Sequence, residues 1–426
     1  MKKFRLASCI ATLFAAGSAN AAQGPVPVGI PPLDHVFVIM MENHAYGQIA
    51  NNPQAPFINS LMAKANLATN YYAIAHPSST NYLEVVGGSN FNKLSDQYPD
   101  WHDANCLPNI VPGQTTNTDN PNSGVFCPIS GKNGTDAAIP ALDTSQNETS
   151  APPLTNINGK LSIPAGTKID GISIADQLVG AGKSWKSYQE GLPIIGADGV
   201  NVSDGYYTLG GNNAEGVNVT SNFAALSTTG NPVSASDVVY LYAVKHNPFA
   251  YFASVQEGRD RELSLDRVVA FEGQKGLYAD LKNGNVPDLA FIAPNQCNDQ
   301  HGRGNGTAFC NFDADDNGTQ QGLNPSLILQ GDLAVQRIET AIKASPVWRD
   351  SRSAIVILWD ENDYSTITSN QVVFIVETNY ARGRVQSSKF YDHYSLTKTL
   401  DAAFRLPCLN HACDAGVEVI SDLFQE

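Results

Sequence analysis

Apolar runs without a polar break alternate with stretches of helical spacing along most of this chain. The first run, Val36-Phe37-Val38-Ile39-Met40-Met41, suits a strand buried on both faces of a parallel sheet. Asp288 to Pro294 and Ser353 to Trp359 read the same way. Ser184 to Glu190 alternates like a strand, and Val238 to Val244 and Val372 to Glu377 add two more. Helical spacing governs the stretches between them. Ala55 to Ala68 sets Phe57, Leu61, Met62 and Ala65 on one face, and Ile172 to Gly182, Leu263 to Gly284, Leu327 to Ile342 and Tyr394 to Phe404 follow the same period. Tyr82 to Val86 starts a further helix, with Ser78, Ser79 and Thr80 near its N-terminus, where free backbone N–H groups favour an anion. Strands alternating with helices predict an α/β fold, a mainly parallel central sheet sandwiched by helices.

Several predicted strands stop at polar clusters: Glu42-Asn43-His44, Lys245-His246, Asn295 to His301, and Asp360-Glu361. Ligands of open α/β sheets bind outside the carboxyl ends of the strands, so four such endings on one sheet edge would converge on a single site.

Outside this pattern the composition changes. Residues 89–167 and 194–230 are rich in Asn, Gly, Thr, Ser and Pro with weak apolar periodicity, which predicts loop-rich insertions into a single domain spanning 22–426. The first 21 residues pair a basic start (Lys2, Lys3, Arg5) with an apolar stretch and the small residues Ala19-Asn20-Ala21, a signal peptide by pattern. No later stretch is apolar for long enough to predict a transmembrane segment. The expected protein is therefore periplasmic or secreted. Cys9 leaves with the leader. The other six cysteines form the sequence-local pairs Cys106 with Cys127, Cys297 with Cys310 and Cys408 with Cys413, an even count that favours disulfide staples in an exported chain.

The formal charge of -15, from 26 basic and 41 acidic residues, speaks against nucleic acid or an anionic membrane as a general partner. An anionic substrate would need local positive charge. The polar endings combine carboxylates (Glu42, Asp360, Glu361), hydroxyls (Ser78, Ser79, Thr80), Lys245 and the histidines His76, His246 and His393. Carboxylates without a cysteine cluster suit a hard divalent ion such as Mg, Ca or Mn, with Zn also open, and a hydroxyl beside such an ion becomes a nucleophile. Nucleophile, charge clamp and in-line geometry are what phosphoryl transfer requires. Nothing in these patterns sets an oligomeric state.

The segments VIMMENHAYG, HPSSTNYLEVVGGS, SWKSYQEGLP, YAVKHNPFAYF, APNQCNDQH, VILWDENDYS and DHYSLTKTL, in this order, resemble the bacterial phosphoesterase family. That family includes secreted acid phosphatases and phospholipases C, within the alkaline-phosphatase superfamily. The resemblance implies an alkaline-phosphatase-like core and a set of roles. Glu42, Asn43, Asp360 and Glu361 would hold one divalent metal ion together with Ser78. Ser78, three residues before Asn81, would be the nucleophile, and Asn81 would bind phosphate. Adjacent Ser79 and Thr80 leave that choice resting on spacing. Lys245 and His246 match a polar pair near the phosphate, and His393 a histidine facing the leaving group or a second metal. Asn295 stands where two-metal relatives carry an aspartate, so a second ion would draw on Asn295, Asp299 and His393, with His301 as a substitute. The resemblance thus implies one tightly held ion and a protonated His393, favouring activity below neutral pH. The function it implies is an exported metal-dependent phosphatase, acid-phosphatase-like, that hydrolyses phosphomonoesters through a phosphoseryl intermediate. Small phosphate esters or phospholipid head groups would be the substrates. A phospholipase C-type phosphodiesterase and a non-catalytic secreted binding protein on the same fold are the alternatives.

Overall fold

The apolar run at the start of the chain is strand β1 (His35–Met41), and Val36 to Met41 are fully buried in it. The computed structural model describes residues 23–91, 169–190, 206–208, 238–240, 244–302, 310–362 and 370–425, except 259, 272, 315–316 and 382. The expected leader, most of both expected insertions and the Cys106 and Cys127 pair lie outside the described residues.

After β1 come α1 (Tyr46–Ile49), α2 (Pro56–Lys64), β2 (Asn66–Ala68), β3 (Tyr71–Tyr72), α3 (Ser78–Gly87), α4 (Ile174–Gly180), β4 (Trp185–Gln189), β5 (Tyr206–Thr208) and β6 (Val238–Tyr240). The second half holds α5 (Ala253–Glu257), β7 (Val268–Val269), α6 (Leu277–Asn283), β8 (Leu289–Ala293), α7 (Pro325–Ala344), α8 (Pro346–Asp350), β9 (Ser353–Trp359), β10 (Phe374–Thr378), β11 (Gln386–Ser387), β12 (Tyr391–Asp392) and α9 (His393–Phe404).

Eight strands form one sheet in the order β11-β2-β10-β9-β1-β8-β4-β7. Only β10 runs against the rest, so the sheet is mainly parallel, as the unbroken apolar runs predict. β1 lies at its heart, in register with β9 from His35 opposite Ser353 to Met41 opposite Trp359, and with β8 from Val36 opposite Leu289 to Ile39 opposite Ile292. Two disulfides, Cys297–Cys310 and Cys408–Cys413, are formed as expected.

Some expected elements come out differently. The helix expected over Ala55 to Ala68 stops at Lys64, and Asn66–Ala68 pairs with β10 instead. Asn66 is the pivot: its side chain donates to Leu423 O at 2.8 Å and accepts from Val385 N–H at 3.0 Å, bonds that a helical course would break. Of Leu263 to Gly284 only Leu277–Asn283 is α-helix, because β-branched Val268 and Val269 join the sheet edge beside β4. Of the strand expected over Val238 to Val244, Val238–Tyr240 is strand and pairs with β5 outside the main sheet, residues 241–243 lie outside the described residues, and Val244 already belongs to a 3₁₀ turn. Lys245-His246 therefore sits on a short 3₁₀ turn, not at a main-sheet strand end.

α3 has every residue from Ser78 to Gly87 buried, including Ser78, Ser79, Thr80, Asn81 and Glu84. A polar helix start inside the protein must find partners for its side chains, and it finds them at the sheet edge.

Candidate active site

Neighbouring strands β9, β1, β8 and β4 end on the same sheet edge, at Asp360-Glu361, Glu42-Asn43, the Asn295 to His301 loop and Glu190. Backbone bonds lock these ends together. Glu42 N–H donates to Asp299 O and Asp360 N–H to Met41 O, each at 2.9 Å. Asn43 turns the chain in the left-handed region, φ 52°, which asparagine enters more readily than most residues. Its N–H donates to Asp360 Oδ1 at 3.1 Å, and Glu361 N–H donates to the same oxygen at 2.7 Å.

Ser78 is the first residue of α3. Its Oγ lies 2.9 Å from Glu42 Oε2 and 3.3 Å from Glu361 Oε1. Asn81, one turn on, donates from Nδ2 to Glu361 Oε2 at 2.8 Å and to Ala75 O at 2.9 Å. Its Oδ1 accepts the N–H groups of Ile74 and Ala75. Asn81 thus donates both amide hydrogens to Glu361 and to the loop before Ser78. His76 Nδ1 reaches Glu361 Oε2 at 2.9 Å.

Glu42 faces a second group with its other oxygen. Its Oε1 lies 3.2 Å from His246 Nε2, and His246 Nδ1 lies 3.2 Å from Asp299 Oδ2. The His246 ring stacks on Tyr82 at 5.2 Å and 8°. Burial, with Lys245 and His301 adding to it, holds His246 well below the usual imidazole range, which favours the neutral ring. Lys245 Nζ lies 3.1 Å from His301 Nε2. Ligand atoms of Glu42, His246 and His301 all fall within 4.8 Å of one another.

The fold brings Glu42, Asn43, Ser78, Asn81, Lys245, His246, Asp299, His301, Asp360 and Glu361 into this one network, but two expected ligands sit apart from it in role. Asn295 closes its own turn, its Oδ1 accepting N–H of Cys297 and Asn298 at 3.1 Å each. His393 donates from Nε2 to Asp360 O at 2.6 Å and accepts from Tyr71 OH at Nδ1 at 2.9 Å. Burial lowers its pKa to about 4. The protonated His393 expected as leaving-group acid therefore gives way to a neutral ring that braces the Asp360 backbone. The cause is tertiary: His393 opens α9 fully buried, with no solvent to stabilise its charge.

Glu190, His44 and Tyr82 carry parts of the site that motif reading left without a role. Glu190 Oε2 accepts Asn295 N–H at 3.1 Å and Asn298 Nδ2 at 2.9 Å, and Oε1 takes Arg337 at 2.8 Å, so this residue steers the loop bearing Asp299 and His301. His44 bridges Glu42 O and Asp313 Oδ2 at 3.0 Å each. For Glu190 and His44 the signal was position just past a strand end rather than residue type, and Tyr82, inside α3, carried no such signal.

The donor set fits a divalent cation. Glu42, Asp360 and Glu361 are fully buried near the Ser78 hydroxyl, and Asp360 Oδ2 has no hydrogen-bond partner among the described residues. Burial pushes Glu42 well above the ordinary carboxylate range, with Asp360 adding to it, and lifts Asp360 to about 8. Asp299 is raised well above its usual range by burial and by Glu42. Such crowded buried acids either take up protons or gather a counterion.

The sequence profile of the Phosphoesterase family matches residues 50–312. This chain belongs to that family. It is a hydrolase acting on phosphoric ester bonds. Relatives at 22% identity include the Phosphatidylinositol-3-phosphatase of Mycobacterium tuberculosis, aligned over 91% of this chain and 82% of its own length. Another is a probable acid phosphatase of Kluyveromyces lactis, over 91% of this chain and 62% of its own length. Against the fungal acid phosphatases, this chain spans about six tenths of the relative's length. Among solved structures, a protein in the alkaline phosphatase superfamily from Vibrio parahaemolyticus overlaps 92% of this chain and 72% of its own, at 12% identity and a TM-score of 0.43.

Proposed function

We propose that this protein is an exported, metal-dependent phosphomonoesterase of the acid-phosphatase type, with Ser78 as nucleophile. The observation that carries this reading is the Ser78 hydroxyl lying between Glu42 Oε2 and Glu361 Oε1, at 2.9 and 3.3 Å, at the N-terminus of a buried helix. Glu42, Asp360 and Glu361 would hold a divalent ion, which when bound supplies the charge that eases loss of the serine proton and neutralises phosphoryl oxygens. The chain's own groups do the rest. Ser78 Oγ, its proton passing to Glu42, attacks phosphorus; an O–P bond forms, the ester O–P bond breaks, and the departing alkoxide takes up a proton from solvent to leave as the alcohol. Water then attacks the phosphoseryl group and frees phosphate. Asn81 donates to Glu361, His76 lies beside it, and Lys245 favours the ionised forms of Glu42 and Asp360.

The name of the mycobacterial relative puts phospholipid head groups among candidate substrates beside small phosphate esters. A panel of phosphomonoesters and phosphodiesters, assayed with and without chelator, tests the reading. Monoester turnover that chelation removes, together with a phosphopeptide mapping to Ser78, is expected. Ser78→Ala should lower turnover by at least about a thousandfold. Trapped phosphate on Ser79 or Thr80, or faster diester turnover, would overturn it.

A further inference from the structure

We propose that Gln300 is a positioning residue for Glu42, a side-chain peg that holds the 299–300 peptide against the end of β1. The proposal rests on the reading above, in which Glu42 takes the Ser78 proton. Gln300 lies in the left-handed region, φ 80°, fully buried between Asp299 and His301. A residue with a Cβ stays in that region only where its surroundings compel it, whereas glycine enters it freely.

Here the side chain supplies the compulsion. Its Oε1 accepts the indole N–H of Trp359 at 3.0 Å, and its Nε2 donates to Ile328 O at 2.9 Å. Trp359 ends β9 one residue before Asp360, and Ile328 belongs to α7. The side chain passes over Gly331 of that helix very closely. A Cβ on Gly331 would lie 2.2 Å from Gln300 Cγ and 2.6 Å from Cδ and Nε2. The bare glycine is therefore the floor of the slot.

The consequence reaches Glu42 through the backbone. The peptide entering Gln300 carries the Asp299 carbonyl, which accepts Glu42 N–H at 2.9 Å. On the far side, Asp299 Oδ1 takes His301 N–H at 2.7 Å and closes the turn. Released from its slot, Gln300 would relax toward negative φ, turning the 299–300 peptide and breaking its bond to Glu42. Gln300 touches no reacting atom. It acts by fixing where the carboxylate after β1 stands.

Gln300→Gly, Gly331→Ala and the double variant of the full-length protein test this, with an aryl phosphate monoester as substrate. Gln300→Gly removes the peg, and Gly331→Ala fills the slot while leaving the loop's sequence intact. Each should lower kcat about tenfold with KM within about twofold, because Glu42 takes the Ser78 proton. The Glu42 amide hydrogen should exchange with deuterium about tenfold faster in both. In the double variant the added methyl no longer has a peg to strike, so the losses should not add and Gln300→Gly alone should be reproduced. Asp332→Asn is the control. It is the next residue on α7 and weakens bonds to the N–H groups of Phe57 and Ile58, away from the loop. It should lower the melting temperature and leave kcat and Glu42 exchange unchanged. Additive losses in the double variant, or equal losses in Asp332→Asn, make the role merely structural and overturn the proposal. Where Gln300→Gly does not fold, Gly331→Ala decides, and wild-type kcat and exchange in it overturn the proposal. Failure of the phosphatase reading shows separately, as a wild type without turnover, and the exchange rates then decide whether Gln300 positions Glu42.

Discussion

Glu42 divides the site into two halves that differ in kind. Toward Ser78 it meets Asp360 and Glu361 at the ends of β1 and β9, two strands in continuous register. Toward His246 it meets Asp299, His301 and Lys245, which come from a short turn and from the loop after β8. The first half is placed by the sheet and is rich in negative charge. The second is placed by side-chain contacts and carries its own cation. Rigid strand ends thus supply the carboxylates and a buried helix start the Ser78 hydroxyl, while a turn and a loop supply Lys245 and the histidines.

The sharpest way to break this comparison is at the contact that orders the first half. Asn81→Ala removes the donor to Glu361 and the ties to Ile74 and Ala75. Turnover should fall on the order of a hundredfold to a thousandfold, with metal affinity falling alongside because Glu361 is released. Thr80→Ala should keep most activity. An Asn81→Ala enzyme that loses turnover yet binds metal at wild-type affinity would return Asn81 to direct phosphate contact.

The second half should be softer. Glu190→Gln weakens its bonds to Asn295, Asn298 and Arg337 and so loosens the loop bearing Asp299 and His301. A loss of about tenfold in kcat/KM is expected, carried mainly by KM, with the first metal equivalent retained. A loss as deep as that of Asn81→Ala would erase the distinction between the halves.

Glu84 is the control: a buried carboxyl on the same helix as Ser78, bonded to Asn90 and Tyr394 and away from the carboxylate cluster. Burial raises its pKa to about 8. Because the folded value lies above the ordinary 4.5, stability is full below about pH 4.5 and is lost as pH rises through about 8. Glu84→Gln should remove that loss, raising stability above pH 8 by up to about 5 kcal/mol while leaving metal content unchanged. Denaturant melts at pH 5 and pH 9 measure it, and a variant equally affected at both pH values contradicts it.

Much of this site was legible in the chain itself. The unbroken apolar runs announced β1, β8 and β9 because strands buried on both faces tolerate no polar residue, and the polar residues just past each run were therefore candidates. Ser78 and Asn81 carried a spacing that the helix preserves, placing both toward Glu361. Less was legible where a residue's duty depends on burial or on distant partners. His393 looked like an acid, and burial keeps its ring neutral. Lys245 and His246 looked like the end of a sheet strand, and they reach the site from a turn.

What the sequence alone determined, then, was the main buried strands, the mainly parallel sheet and the acids Glu42, Asp360 and Glu361 at its edge. These follow from local periodicity and from the solvent preference of each side chain. Only the tertiary structure decided which oxygen faces Ser78, which imidazole receives Lys245 and which histidine stays neutral. Those outcomes depend on contacts between residues as far apart as Glu42 and Asp299, or Lys245 and His301, and on exclusion of water from all of them. A linear pattern can place a charge at the end of a strand, but its protonation and partner depend on what the fold packs around it.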